Sequence, residues 1–280
     1  MQLTSVMKPQ LSIVIPTLNE GKYISPLLKD LTRQTENDFE VIVIDGKSED
    51  STRELITSFQ SKLNMRIFQS PKRNVSLQRN LGAKKAKSDI LLFIDSDMRM
   101  EKNFIKKLTR EVHESKYLIY LPKHVPHDGL PPDELLYSVL SFLVEASNLS
   151  NKPFAYGPGV VFYKSFFHAL GGYDENIFVY EDHEIIQRAK VRGVTAKLLP
   201  DLELGFSFRR FKKEGRVTVL SKYLRATIAL LSKGTVDKSI FTYDMGGHAK
   251  YLIQQKKEFN LGEEVTKYVK SLKTLLEQTS

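Results

Sequence analysis

The sequence predicts an α/β protein with a mostly parallel sheet flanked by helices, and three observations indicate this class. Short apolar runs rich in β-branched residues recur through the first hundred residues, and amphipathic, helix-like segments separate them. Each run is apolar almost throughout, as expected for a strand that helices cover on both faces. The runs are 11–16, 39–44, 65–69 and 90–94. Their alternation with helical segments is typical of parallel βαβ units.

After residue 115 the alternation loosens, which indicates a mixed region added to the parallel half. Further strands are predicted over 117–122, 159–163 and 198–206, and an amphipathic helix over 132–149. From about residue 205 basic amphipathic patterns dominate, with helices predicted over 217–231 and 261–276.

The length and composition permit one large domain with a small appendage. The 280 residues are 41% hydrophobic and 27% charged, which supplies enough apolar material for a sizeable core. We expect the α/β domain to cover residues 1–210, with a parallel half at about 11–100 and a mixed half at about 101–210. A basic helical extension is predicted over 211–280.

Cysteine usage and charge limit the classes of function. The chain has no cysteine, which excludes disulfides, thiolate zinc sites, iron–sulfur clusters and a cysteine nucleophile. The first ten residues are too polar for a secretory signal and no apolar stretch is long enough to span a membrane, so we expect a cytoplasmic protein. Forty-two basic against 33 acidic residues give a net charge of +9, which indicates an anionic partner: nucleic acid, nucleotide phosphates or a lipid surface.

Polar, acidic loops follow three of the predicted strands, at 17–20, 45–52 and 95–97. Ligands of open α/β sheets bind beyond the carboxyl ends of the strands, so these loops form the candidate site. Asp95 and Asp97 are two residues apart in an extended segment, which directs both carboxylates the same way. Such hard oxygen ligands can hold Mg²⁺ or Mn²⁺ against a diphosphate. A pair of ordinary surface acids is the alternative.

Two further features have both a binding and a structural interpretation. Asp45 ends a predicted strand and can accept a hydrogen bond from a base N–H or a ribose hydroxyl, whereas helix capping alone explains Asp50. Residues 71–87 contain six Lys or Arg and no acid. This basic segment is either a solvated helix face or, in its functional interpretation, a segment that places Arg79 beside a nucleotide.

Five segments in this order resemble one family. They are IVIPTLNE at 13–20, VIDGKSEDST at 43–52, QRNLG at 78–82, LLFIDSD at 91–97, and GGYDE at 171–175 with YED at 180–182. Together they resemble the inverting nucleotide-sugar glycosyltransferases of glycosyltransferase family 2, over about residues 11–200. The resemblance implies a GT-A fold, Rossmann-like, in which the first half binds the nucleotide and the second half faces the acceptor, with a helical extension at the carboxyl terminus.

The resemblance also implies roles for individual residues. Those that would line or contact the donor are Pro16, Thr17, Glu20, Asp45, Arg79 and Asp95. Asp97 would be the ligand of Mg²⁺ or Mn²⁺, with Asp95 beside it, and Asp182 would be the general base that takes a proton from the acceptor hydroxyl. The alternative for Glu181 and Asp182 is structural, because acids in the first turn of a helix oppose its macrodipole favourably.

Some positions depart from the family pattern. Gly46 replaces the second Asp of the common Asp-Asp-Gly-Ser loop, and a late metal-binding His is not apparent. Residues 207–213 faintly resemble an Arg-aromatic element, which implies Arg209 or Arg210 as diphosphate contacts. Of the histidines, His124 and His127 are interpreted as surface residues. His183 lies either on the helix surface or in the acceptor pocket.

The leading hypothesis is a metal-assisted inverting glycosyltransferase that uses a UDP-sugar and acts on a glycan or lipid-linked acceptor in surface polysaccharide assembly. Two alternatives remain open: a sugar-phosphate nucleotidyltransferase, and a non-catalytic protein that binds a nucleotide-sugar or nucleic acid. The first expects a Gly-rich basic loop that residues 16–23 do not provide, and no nucleic-acid-binding motif supports the second. Nine basic and two acidic residues within 205–238 suggest peripheral attachment to an anionic membrane surface.

Overall fold

The computed structural model describes residues 8–128, 147, 153–155, 157–177, 180–207 and 209. The predicted helices over 217–231 and 261–276, and Arg210, lie outside the described residues, as does the predicted helix over 132–149 apart from Ser147. The described residues up to Ser207 belong to one compact unit. The domain boundary at residue 210 stays a prediction.

The described chain alternates strands and helices through its first half. The strands are β1 Leu11–Thr17, β2 Phe39–Asp45, β3 Met65–Gln69, β4 Ile90–Phe93, β5 Arg99–Met100, β6 Ile119–Pro126, β7 Val160–Tyr163 and β8 Lys197–Phe206. The helices are α1 Ile24–Thr32, α2 Thr52–Thr57, α3 Val75–Lys85, α4 Phe104–Ser115, α5 Lys164–Leu170 and α6 Glu181–Val191. All four strands predicted in the first hundred residues form where the apolar runs lie.

The described strands form one eight-stranded sheet in the order β3-β2-β1-β4-β7-β6-β8-β5. The four strands of the first half are mutually parallel. In the second half β7 runs antiparallel to both β4 and β6, while β6 and β8 are parallel. The predicted combination of a parallel half and a mixed half is therefore confirmed.

The strands of the second half depart from their predicted ends. The predicted strand at 117–122 begins at Ile119 and continues to Pro126, because β8 pairs with it on both sides of a register shift between Pro122 and Lys123. The two-residue strand β5 was not predicted. It pairs with Leu204 and Gly205 of β8, and two residues are too short to show a periodic pattern.

The core lies on both faces of the sheet, as the apolar runs predict. Side chains alternate along β1, so Ile13 and Ile15 pack on the face covered by α1 and α4, where Phe104 is fully buried. Val14 packs on the opposite face, against α3 and the aromatic side chains of the second half. Within the described residues no helix is long and apolar enough to cross a membrane.

Helix α3 approaches the sheet closely at Gly82. A Cβ at this position would lie 2.2 Å from Cγ1 of Val14, a fully buried residue of β1. The absence of a side chain at Gly82 therefore sets the distance between α3 and the strands that carry the candidate site.

Replacing Gly82 with Ala should lower the free energy of unfolding by about 1–3 kcal/mol, the usual range for overpacking. The clash with Val14 opposes the gain of roughly 0.5–1 kcal/mol that Ala brings to a helix interior. Urea unfolding followed by circular dichroism measures the change. Lys84→Ala, at an exposed position of the same helix, is the control and should shift stability by no more than about 0.5 kcal/mol. A Gly82→Ala variant more stable than the wild type would contradict the packing argument.

Candidate active site

The sheet brings the three predicted loops to one edge. Thr17 and Asp45, the last residues of β1 and β2, are register partners, and β4 lies on the other side of β1. Asp95 follows β4 by two residues, so its loop emerges at the same edge. The prediction that these loops share one place in the fold agrees with the topology.

The loops after β1 and β2 are joined by hydrogen bonds from backbone N–H groups to side chains. The donor–acceptor pairs are Asn19 N–H to Ser48 Oγ at 2.9 Å, Glu49 N–H to Asn19 Oδ1 at 2.8 Å, Glu20 N–H to Thr52 Oγ1 at 2.7 Å and Gly21 N–H to Asp50 Oδ2 at 3.0 Å. Asp50 also accepts from Thr52 N–H at the start of α2, although the N-cap residue of this helix is Ser51. The two loops consequently form one preorganised wall.

Asp45 is held inside this wall. Its side chain is buried, and its Oδ1 accepts a hydrogen bond from Ser48 Oγ at 2.5 Å while its Oδ2 accepts from Ser48 N–H at 3.2 Å. Pro16 and Thr17, the last two residues of β1, and Glu20, in the loop that follows, are also buried. Four of the residues predicted to line or contact the donor therefore lie in one continuous region, which leaves their role a prediction.

Helix α3 contributes two neighbouring amide side chains that sequence reasoning did not single out. Gln78 Nε2 donates to the carbonyl oxygens of Thr17 at 2.9 Å and Ile44 at 2.6 Å, which ties the ends of β1 and β2 together. Asn80 Oδ1 accepts from Tyr173 N–H at 2.9 Å, and its Nδ2 donates to the Tyr173 carbonyl at 2.9 Å. The signal available in the sequence was the QRNLG segment, in which only Arg79 was assigned.

Arg79 lies between these two amides in the sequence, and its predicted place beside a nucleotide stays a prediction. Its side chain is only 1% exposed. Nη2 donates to Asp95 Oδ1 at 3.0 Å, and Nη1 donates to Glu181 Oε1 at 2.6 Å and Asp182 Oδ1 at 3.4 Å. Burial lowers the pKa of Arg79, but the three carboxylates outweigh it and the net shift is upward, so the guanidinium stays charged. We refer to Arg79, Asp95, Glu181 and Asp182 as the Arg79 cluster.

Asp182 lies in the first turn of α6 and is buried in the Arg79 cluster. Burial is the main effect that raises its pKa, to about 7. Arg79 lowers this pKa and the negative charges of Glu181 and Asp95 raise it. A carboxylate with a pKa near neutrality is suited to general base catalysis. Opposition to the helix macrodipole does not by itself account for a buried pair of acids held by an arginine.

Tyr173 closes the other side of the Arg79 cluster. The Arg79 guanidinium carbon lies 5.2 Å from the centroid of the Tyr173 ring. The hydroxyl is buried beside Asp182, without a hydrogen bond of ordinary geometry among the described residues. Burial and the negative charge of Asp182 raise the pKa of Tyr173, so the phenol stays neutral. The preceding Gly172 has a φ of 74°, and a Cβ there would lie 2.6 Å from Asn80 Oδ1, so this turn requires glycine.

The candidate metal ligands follow β4. The Asp95 side chain is 36% exposed, whereas the side chain of its partner Arg79 is buried. Asp97 is half-buried. Nε2 of His127, an exposed side chain as predicted, lies 3.3 Å from the Asp97 carbonyl oxygen. Across the described ranges no three His, Asp or Glu side chains are grouped as a complete metal site. This donor set fits Mg²⁺ or Mn²⁺, because such ions commonly take one or two protein carboxylates and complete their shell with substrate phosphates and water.

Two histidines occupy positions that sequence analysis described differently. The surface interpretation of His124 is wrong: its side chain is buried and its ring packs against Phe206, and burial lowers its pKa to about 4. Alternation along β6 turns this side chain inward, and a single His in a loop-like sequence does not reveal that. The His183 ring lies 5.2 Å from Phe154 and 4.7 Å from Tyr180, and burial lowers its pKa to about 3. These contacts disfavour the helix-surface alternative.

Of the predicted diphosphate contacts, Arg209 is described and half-buried, and Arg210 lies outside the described residues. The structure thus brings together the donor-side residues of the parallel half and, through Arg79, the acidic pair of α6. A mixed α/β sheet with this strand order, flanked by helices, has the GT-A fold.

The chain belongs to glycosyl transferase family 2, whose family model matches residues 12–171. A curated relative, poly(ribitol-phosphate) beta-N-acetylglucosaminyltransferase TarS of Staphylococcus aureus, is 32% identical over 126 residues, which is 43% of this chain and 22% of the relative. The match therefore spans about a fifth of that relative's length.

Solved structures show the same fold. TarS 1–349 of S. aureus in complex with UDP has 19% identity and a TM-score of 0.55, covering 77% of this chain and 65% of that one. The mannosyltransferase PcManGT of Pyrobaculum calidifontis, in complex with GDP-Man and Mn²⁺, has 15% identity and a TM-score of 0.66, covering 98% of this chain and 77% of that one. The predicted GT-A fold is confirmed by these similarities.

Proposed function

We propose that this protein transfers a sugar from a UDP-sugar to a hydroxyl of a glycan or lipid-linked acceptor, with inversion at the anomeric carbon. The observation that carries the proposal is the Arg79 cluster, in which a buried carboxylate of near-neutral pKa, Asp182, shares one guanidinium with Asp95 of the donor-side loop. Support for UDP comes from TarS, of which solved structures hold UDP and UDP-GlcNAc. Because the solved structure of PcManGT holds GDP-Man, GDP-sugars are the alternative donors to test.

The donor side of the proposal uses the wall formed by the first two loops. Asp45 is oriented by Ser48 and can accept a hydrogen bond from a base N–H or a ribose hydroxyl. Pro16, Thr17 and Glu20 provide the buried floor beneath it. Because this wall is already joined by hydrogen bonds, binding the nucleoside requires little rearrangement of the protein.

Asp97, with Asp95, would hold the divalent ion, Mg²⁺ or Mn²⁺. When bound, such an ion compensates the negative charge that grows on the departing diphosphate. Arg209 or Arg210 is proposed to contact the same diphosphate, as a positive charge that favours its departure.

The acceptor side of the proposal uses Asp182. Its carboxylate takes the proton of the acceptor hydroxyl while that oxygen forms a bond to the anomeric carbon. The bond between the anomeric carbon and the diphosphate oxygen breaks, and the electron pair leaves with the nucleoside diphosphate. Attack from the face opposite the leaving group inverts the anomeric configuration.

Peripheral association with an anionic membrane face also remains a proposal. Nine basic residues against two acidic ones within 205–238 carry it, since each basic residue near an anionic surface adds about 1 kcal/mol of attraction. Such association would bring a lipid-linked acceptor to the site.

A donor panel tests the proposed function. The full chain is incubated with UDP-sugars and GDP-mannose, with Mg²⁺, Mn²⁺ or excess chelator, and released nucleoside diphosphate is measured. We expect release from at least one UDP-sugar, stimulated by the divalent ion, and a product of inverted anomeric configuration by NMR. Release from GDP-mannose alone would correct the donor base, and retention of configuration would contradict the role given to Asp182.

A further inference from the structure

We propose that Arg79 is a positioning residue that sets the distance between the acceptor-side base and the donor-side loop, rather than a contact of the nucleotide. The inference rests on the proposed function and adds to it a single side chain that couples the two halves of the site. Three features carry this inference: the planar geometry of the Arg79 guanidinium, the burial of that side chain, and the balance of charges in the Arg79 cluster.

The guanidinium is a rigid planar fork whose two ends point to different segments. Nη2 binds Asp95 at 3.0 Å, in the loop after β4, and Nη1 binds Glu181 at 2.6 Å and Asp182 at 3.4 Å, at the start of α6. Because the two nitrogens are part of one plane, Asp95 and Asp182 cannot move independently while both bonds persist. The distance between the loop and the helix is thus determined by the size of the fork.

Burial keeps the fork in this position. Arg79 is 1% exposed, and the Tyr173 ring lies against its guanidinium. The flanking Gln78 and Asn80 side chains bind the β1 and β2 ends and the Tyr173 backbone, so the helix cannot rotate to turn Arg79 towards a ligand without losing these bonds. A nucleotide contact through Nη1 or Nη2 would compete with the carboxylates that these two nitrogens bind, while Nε is buried without a hydrogen-bond partner among the described residues.

The charge balance makes Arg79 necessary at this place. One cation faces the carboxylates of Asp95, Glu181 and Asp182, and two of these are buried. Without the guanidinium the carboxylates repel one another at short range, so the loop after β4 and the start of α6 would move apart. A lysine keeps the positive charge but lacks the fork, and its ammonium cannot reach both segments with the same geometry.

The test compares Arg79→Lys with Arg66→Lys in the full chain. Arg66 is the matched control because its Nη2 also binds a buried carboxylate, that of Glu40, at 2.6 Å. Glu40 lies near the start of β2, away from the loops that follow the carboxyl ends of the strands. We expect Arg79→Lys to lower kcat by about 10²-fold, the cost of a small misplacement of reacting groups, while the Kd for UDP in excess chelator, which does not depend on Asp95 and Asp97 holding an ion, stays unchanged. Arg66→Lys should leave kcat, KM and Kd unchanged.

Hydrogen–deuterium exchange of the ligand-free proteins provides a readout that does not depend on activity. In Arg79→Lys, amide exchange should rise together in residues 94–98 and 180–184, whereas Arg66→Lys should leave both segments at the wild-type rate. A rise in only one segment, or in neither, would overturn the proposal.

The kinetic outcomes separate this inference from the proposed function. A higher UDP Kd in excess chelator in Arg79→Lys with kcat unchanged would show direct donor contact and overturn the positioning role. If the wild type binds no UDP and releases no nucleoside diphosphate from the donor panel, the proposed function fails, and the exchange experiment still decides whether Arg79 couples the two segments.

Discussion

Replacing Asp182 with Asn should lower kcat by roughly 10²–10⁴-fold, the contribution usual for a lost general base, and leave nucleotide binding intact. The amide has nearly the shape of the carboxylate but does not take up the acceptor proton. The fold should survive, because the substitution removes one of three negative charges that share a single arginine. Initial rates at saturating donor, with UDP affinity from calorimetry, measure both quantities.

The pH dependence of the wild-type enzyme provides a second measurement of the same assignment. Asp182 has a pKa raised to about 7, so it is protonated below that pH and cannot accept a proton there. We therefore expect kcat/KM to rise as the pH increases through about 7, and this limb should be absent from the residual activity of Asp182→Asn.

Glu181→Gln is the companion variant, since Glu181 is the neighbouring acid on the same guanidinium. It should retain the pH limb and lose less activity than Asp182→Asn. Wild-type turnover in Asp182→Asn together with inactivity in Glu181→Gln would transfer the role of base to Glu181.

The second large effect is expected at Asp97. Its replacement with Ala should weaken UDP binding in the presence of Mn²⁺ by at least about tenfold, or about 1.4 kcal/mol, because the ion that would bridge protein and diphosphate loses a ligand. Excess chelator should weaken UDP binding of the wild type in the same way. UMP has no diphosphate to chelate the ion and should respond less to both changes. Calorimetric titration of each nucleotide measures the affinities.

Asp89→Ala is the control for Asp97→Ala. Asp89 precedes the same strand at its opposite end, where it is exposed and forms an ion pair with Lys8, so its loss should leave UDP affinity unchanged. Equal affinity of the wild type for UDP in chelator and in Mn²⁺ would remove the metal from the proposed mechanism.

The parallel half of the fold was accessible from the sequence because its strands are buried on both faces. A fully buried strand requires an unbroken apolar run, and such runs mark β1 to β4 within one or two residues of their observed ends. The second half was less accessible. The extension of β6 to Pro126 and the short β5 both depend on pairing with β8, more than 70 residues further along the chain.

By itself the sequence determined which polar residues follow the strands, and hence the location of Asp45, Asp95 and Asp97 at one sheet edge. That inference needs only local periodicity and the rule that parallel strands end together. Motif order along the chain also pointed to Asp182.

Only the tertiary structure decided where the side chains of Arg79 and His124 lie. Local pattern describes Arg79 as one cation among six in a basic segment, yet its partners Glu181 and Asp182 lie 102 and 103 residues away and its side chain is buried. The alternation of β6 and its packing likewise bury His124, which the sequence presents as a polar residue beside a proline-rich turn. Whether a charged or polar side chain faces water or another element depends on contacts between distant segments, and the local periodicity of a single chain does not encode those contacts.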